Sequence, residues 1–177
     1  MTNESWSKAS ASGLSRESIA KIADHIATQS AFAPGADLEP VVKALGGTIK
    51  FVDLDESGAS SGSIRIRDFR DFEISLAAHT GVLRDRFTVA HEIGHYVLHF
   101  LIPTQVHGTK LANVYASRFG NDDAEKEANW FAASFLMPQA AFANSYDVNS
   151  GAISAIARSF GVSYRAAEYR AKGLRLG

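Results

Sequence analysis

Apolar positions along this chain switch between two periods, and the switches outline its elements. Over residues 15–29, Ile19, Ile22, Ala23 and Ile26 recur three and four positions apart, which predicts a helix with one buried face. Pro34-Gly35 breaks that pattern, and residues 38–45 predict a shorter helix closed by Gly46-Gly47. The period then drops to two. Residues 48–54, 63–67 and 72–76 read as strands, the last two joined through Asp68-Phe69-Arg70-Asp71. Between the first two of these strands, the small polar residues 55–62 predict a flexible loop. The helical period returns with Phe87, Ala90, Ile93, Gly94, Val97, Leu98 and Leu101. Asp85 is placed to cap this helix and Pro103 to end it, giving a buried helix of roughly 16 residues. Residues 103–122 carry few periodic signals and predict a long loop, functional or mobile. Asn121-Asp122-Asp123 looks like the start of a further helix, which runs to Met137 and stops at Pro138. A small antiparallel or mixed sheet on the N-terminal side, followed by a helical half, gives an α+β fold.

The Ser-rich residues 1–13 predict a loose tail, and residues 14–177 one domain with its own core. A hydrophobic fraction of 46% is ordinary for a folded chain. The net charge of −1 carries no general signature of polyanion binding. There are no cysteines, which excludes a disulfide scaffold and thiolate metal ligands. The first residues lack an apolar signal core, and no apolar run is long enough to span a bilayer. These features predict a cytoplasmic protein.

The chemistry concentrates in His91-Glu92-Ile93-Gly94-His95, an HExxH motif on the predicted buried helix. Residues four apart on a helix share a face, so His91 and His95 can offer two imidazole nitrogens to one ion. Glu92 lies beside them and is placed to hold a water rather than to bind the metal. The competing reading is a core helix whose histidines merely happen to be four apart. The apolar surface around the motif favours the zinc helix.

A catalytic zinc site needs a third protein ligand. His99 lies on the same face, but His91 and His99 are about 12 Å apart along the helix axis and cannot both reach one ion. His99 is therefore either a support for a ligating histidine or a plain helix-end histidine. On the following helix Glu125, Ala128, Asn129 and Ala132 share a face. That face is small enough to press against another helix and present Glu125 to the metal. Asn129, one turn on, can orient a ligating histidine through its second ring nitrogen. Glu127 competes for the ligand role, but it lies off the small-residue face. Trp130, Phe131 and Phe135 point elsewhere and fill core.

Two strings together resemble the ImmA/IrrE family of metallo-endopeptidases. One runs from Arg86 through HEIGH to His99. The other is the E-K-E-A-N-W-F-A-A-S-F-L-M-P run from Glu125 to Pro138. The resemblance spans roughly residues 14–170. It implies a zincin-like fold in which the HExxH helix crosses a Glu-bearing helix, with Glu125 as the third ligand beside His91 and His95 and Glu92 as the base. It also implies Zn²⁺ as cofactor, although Mn²⁺ or Fe²⁺ suit the same donors. The implied substrate is a helix-turn-helix repressor of the XRE type, met in trans, in a regulatory, stress, phage or mobile-element response. Two further readings stay open: a DNA- or repressor-binding module with structural zinc, and an inactive pseudo-peptidase that sequesters its partner. Glu92 argues against the second.

Three features remain unassigned by these strings. Residues 153–168 resemble a helix-turn-helix, with Gly161 at the turn and Ser163 capping the second helix. Arg165 and Arg170 are its candidate nucleic-acid contacts, and a helical hairpin packed on the peptidase is the favoured alternative. His107, Tyr115 and Arg118 lie between the two zinc helices, and one of them could donate to an oxyanion. Either of the strands 63–67 and 72–76 could bind an extended substrate by strand addition.

Overall fold

The computed structural model describes residues 5–53, 62–78, 80–117 and 122–176. In chain order the elements are β1 (Ser7–Lys8), α1 (Arg16–Gln29), α2 (Glu39–Ala44), β2 (Gly47–Val52), β3 (Gly62–Asp68) and β4 (Asp71–Ala77). There follow α3 (Val82–Tyr96), a π-helical turn (Val97–Leu101), α4 (Ile102–Gln105), β5 (Val114–Ser117) and α5 (Asp123–Leu136). A helical tail of α6 (Gln139–Val148), α7 (Ile153–Phe160) and α8 (Tyr164–Gly173) completes the fold.

The sheet is mixed and five-stranded, in the order β1-β5-β3-β4-β2. β3 runs antiparallel to both β4 and β5, whereas β2 joins β4 and β1 joins β5 in parallel. Alternation decides which way the sheet faces. Ile64 and Ile66 of β3 and Phe72, Ile74 and Leu76 of β4 are buried on one side, where β3 and β4 meet α3. Tyr96 near the end of α3 stacks on Phe72, with centroids 4.2 Å apart, and its hydroxyl accepts from the Arg70 N–H at the hairpin tip.

α5 packs across α3 on the side away from the sheet, and α1 packs on α5. Gly94 is what lets the two central helices approach. A Cβ there would lie 3.1 Å from the Phe131 Cβ, tighter than ordinary contact. Phe131 itself is fully buried and stacks on Phe135, which in turn stacks on Phe32. The zincin-like α+β arrangement read from the sequence is the arrangement found.

Several expectations need correction. The helix that carries His91 and His95 starts at Val82 with Gly81 as its cap, not at Asp85. Asp85 sits inside the first turn, where its carboxylate accepts from the Thr80 hydroxyl. Nor does the helix stop at Pro103. The π turn carries it into α4, where Pro103 falls in the first turn and needs no N–H partner. The stretch after it contains β5, whose Val114 and Ala116 are buried while Tyr115 faces out. Residues 7–13 are not a loose tail: β1 adds to the sheet edge, and Ser12 and Gly13 donate to Glu127. Strand addition at β3 or β4 is excluded, because each already has a strand on both sides. The proposed loop at 55–61, Asn121 at the helix start and Arg118 lie outside the described residues.

Phe131→Ala would open a cavity at the crossing of α3 and α5. Large-to-small changes at such sites cost about 3–5 kcal/mol. Urea unfolding should show a loss of that size, and an unchanged midpoint would contradict this picture of the core.

Candidate metal centre

Three buried side chains converge between α3 and α5. His91 and His95 sit one turn apart on α3, each 1% exposed, with their Nε2 atoms 3.1 Å from one another. Glu125 reaches over from α5. Its Oε2 lies 3.1 Å from His91 Nε2 and its Oε1 lies 3.1 Å from His95 Nε2. Asp122 caps α5 by accepting from the Glu125 N–H at 3.0 Å, and Lys8 of β1 pairs with Asp122 at 2.7 Å. The backbone that carries the carboxylate is thus tied both to its own helix cap and to the sheet.

The opposite ring nitrogens determine where the protons sit. His91 Nδ1 faces Asn129 Oδ1 at 3.0 Å, one turn beyond Glu125 on α5. An amide oxygen only accepts, so His91 carries its proton on Nδ1 and turns a lone pair inward from Nε2. His95 Nδ1 faces His99 Nδ1 at 2.9 Å, and His99 Nε2 faces Glu127 Oε2 at 2.9 Å. Burial lowers the His99 pKa and keeps the ring neutral. Glu127 can only accept, so His99 holds its proton on Nε2 and accepts from the His95 Nδ1–H. His95 Nε2 then also points a lone pair at Glu125. Burial pushes the His95 imidazole down to about 4.

Two lone pairs and a carboxylate therefore face a common point. Their donor atoms lie within 4.8 Å of one another, a group compatible with a metal ion. Bonds of about 2 Å to a tetrahedral ion separate neighbouring ligand atoms by about 3.3 Å, close to the separations found. Glu92, 1% exposed, follows His91 on α3, and β3 comes close beside it. A Cβ on Gly62 would lie 3.5 Å from Glu92 Oε1 and 2.3 Å from Thr88 Cγ2.

Glu127 is the best-held carboxylate beside the site. It accepts from the Ser12 N–H, the Ser12 hydroxyl and the Gly13 N–H, each at 2.8 Å, as well as from His99. Burial raises its pKa, but these donors prevail and lower it. Glu127 is thus outside the group that could hold a metal ion, and it reaches His95 through His99. Of the two readings of His99, support for a ligand is the one the geometry matches. Sequence reasoning missed Ser12 and Gly13, since a Ser- and Gly-rich stretch gives no periodic signal.

The other candidates lie elsewhere. His107 is exposed after α4, and Tyr115 is 36% exposed on β5. Neither makes a hydrogen bond to the triad among the described residues. Gly161 adopts the left-handed conformation (φ 61°) at the turn between α7 and α8, and Ser163 caps α8 by accepting from the Ala166 N–H at 3.1 Å. Arg86 of α3 donates through Nε to the Gly161 carbonyl, tying this hairpin to the central helix. Arg165 is exposed and lies over the Tyr169 ring, whereas Arg170 is buried and donates from Nε to the Met137 carbonyl. No helix among the described residues is long and apolar enough to cross a membrane.

Comparison with known proteins adds two findings. A family model described as the IrrE N-terminal-like domain, Peptidase_M78, matches residues 56–172. Among solved structures, a Mycobacterium tuberculosis transcriptional regulator superposes with a TM-score of 0.62 at 18% identity, which shows a shared fold. The match covers 87% of this chain but only 46% of that protein, so the chain spans about half its length. No curated protein matches the chain.

Two outcomes follow from this geometry. Outer partners of metal-bound histidines typically contribute 10–100-fold to metal affinity. Glu127→Leu should weaken metal binding by about that factor in a competition titration with a chelator, and undiminished affinity would contradict the His95–His99–Glu127 chain. In the metal-free protein, the folded His95 pKa of about 4 lies below the ordinary 6.5. Its contribution to stability is present above pH 6.5 and is lost as pH falls towards 4. At about 1.4 kcal/mol per unit, the loss should amount to a few kcal/mol. Urea unfolding across that window checks it, and a flat profile would contradict it.

Proposed function

Because the chain belongs to the IrrE N-terminal-like domain family, Peptidase_M78, we propose that it is a zinc-dependent endopeptidase acting in the cytoplasm on a helix-turn-helix repressor of the XRE type. The observation that carries the reading is the buried His91, His95 and Glu125 group with Glu92 next to it. Two imidazoles and one carboxylate with an open fourth position are the donor set of catalytic zinc. Mn²⁺ and Fe²⁺ accept the same donors. The repressor as substrate rests on the resemblance of the two motif strings. Relatedness in fold to a transcriptional regulator accords with it.

A divalent cation at these ligands supplies Lewis acidity, polarising a scissile carbonyl and acidifying a water molecule. The side chains supply the rest. Asn129 and the His99–Glu127 pair keep the Nδ1 protons of His91 and His95 on the outer side, so both Nε2 atoms stay available as ligands. Glu92 takes a proton from the attacking water and returns it to the departing amine, the role of a positioned general base and then acid. Its burial beside β3 strengthens each of these interactions by excluding bulk water.

The test uses purified XRE-type repressors as substrates, with zinc or manganese supplied and products read by mass spectrometry. Wild-type protein should cut one of them at a defined bond. Glu92→Gln should keep its metal and lose about 10²–10⁴-fold in rate, as expected for removal of a general base. A Glu92→Gln protein that cuts at the wild-type rate would overturn the mechanism.

A further inference from the structure

A cavity of about 770 Å³ lies between the first turns of α3, the last turns of α5 and the face of α8. That volume falls in the range of about 300–1,000 Å³ typical of small-molecule sites. Phe87, Ala133, Met137 and Val162 contribute to its apolar floor. It begins one turn from His91 on α3 and two turns from Glu125 on α5, since Phe87 precedes His91 by four residues and Ala133 follows Glu125 by eight. It is nevertheless lined by none of the metal-site residues.

Its charge is one-sided. Among the described residues Arg16, Arg84, Arg165 and Arg170 line it, and no aspartate or glutamate does. Arg170 is 6% exposed and spends only its Nε, on the Met137 carbonyl. Among the described residues neither Arg170 nor Arg16 has an ion-pair partner. Burial and repulsion from Arg16 lower the Arg170 pKa, with Asp24 supplying a weaker opposing attraction. An arginine remains charged nonetheless, with N–H groups in a fork that matches a carboxylate or phosphate. Beside these cations the rim is apolar: Val82 is 75% exposed, Leu83 46% and Tyr169 59%. A greasy floor with guanidinium groups at its edge and no acid calls for a ligand with an apolar body and an anionic head.

We propose that this cavity binds a small amphiphilic anion, an alkyl or aryl carboxylate or phosphate monoester, held by Arg170 and Arg165 with its apolar part over Phe87, Ala133 and Met137. The site is independent of the peptidase reading, since it needs neither metal nor Glu92. It gives the helix-turn-helix-like segment a role other than reading DNA, because the second helix of that segment forms one wall.

The test is calorimetric titration of the full chain with decanoate and with decyl phosphate, using decanol as the uncharged counterpart. At least one anion should bind saturably at one site per chain, and decanol about tenfold or more weaker. Which anion binds more tightly assigns the head group as carboxylate or phosphate. Arg170→Met and the surface change Arg165→Gln should each weaken binding by about tenfold. Ala166→Trp should abolish it by filling the space. Circular dichroism shows which variants are folded, and Arg165→Gln decides the matter if Arg170→Met is not. No saturable binding of either anion, equal binding of decanol, or undiminished binding in folded Arg165→Gln and Ala166→Trp would overturn the proposal. So would displacement of the anion by short duplex DNA, which would reassign the surface to nucleic acid.

Discussion

Two imidazole lone pairs and a carboxylate held about 3 Å apart in a nearly dry site set the terms for the whole molecule. Such a cluster is unfavourable on its own, because buried acceptors that face one another have neither water nor a donor to satisfy them. A cation resolves it, and the surrounding structure is arranged to keep the acceptors facing inward. Gly94 lets α3 and α5 cross closely, Asp122 caps the helix that delivers Glu125, and the sheet backs α3 from the other side. Each of these acts on backbone position. The proton positions are governed separately, by Asn129 on one histidine and by His99 with Glu127 on the other.

This division extends the candidate metal centre well beyond the three side chains that face one another. The chain of contacts from His95 ends at the backbone of Ser12 and Gly13, far from the motif in sequence. The first strand closes the edge of the sheet on β5, and Lys8 pairs with the cap of α5. The N-terminal segment therefore supports both Glu125 and the orientation of His95. The π turn after Tyr96 belongs to the same arrangement, since His99 lies within it and bridges His95 to Glu127.

Elements with strong period and clear caps were legible. The helices carrying His91, His95 and Glu125, the β3–β4 hairpin and the α7–α8 turn all follow from apolar spacing and from Gly, Ser and Asp at their ends. Glu125 could be preferred over Glu127 because it shares a face with Ala128, Asn129 and Ala132. What was illegible depended on contacts distant in sequence. β5 is four residues long, and its Val-Tyr-Ala alternation is too short to stand out until β3 pairs with it. Pro103 looked like a stop because an ordinary helix cannot accept it, whereas the π turn resets the helix so that the proline falls at a new first turn. Ser12 and Gly13 gave no sign of their partner, since a carboxylate more than a hundred residues away recruits their backbone.

The central claim is that α3 and α5 together hold one metal ion, and anomalous X-ray diffraction from zinc-loaded crystals tests it most directly. One anomalous peak within about 2 Å of His91 Nε2, His95 Nε2 and a Glu125 oxygen is the predicted result. No peak at that position, or a peak between His99 and Glu127 instead, would contradict the account.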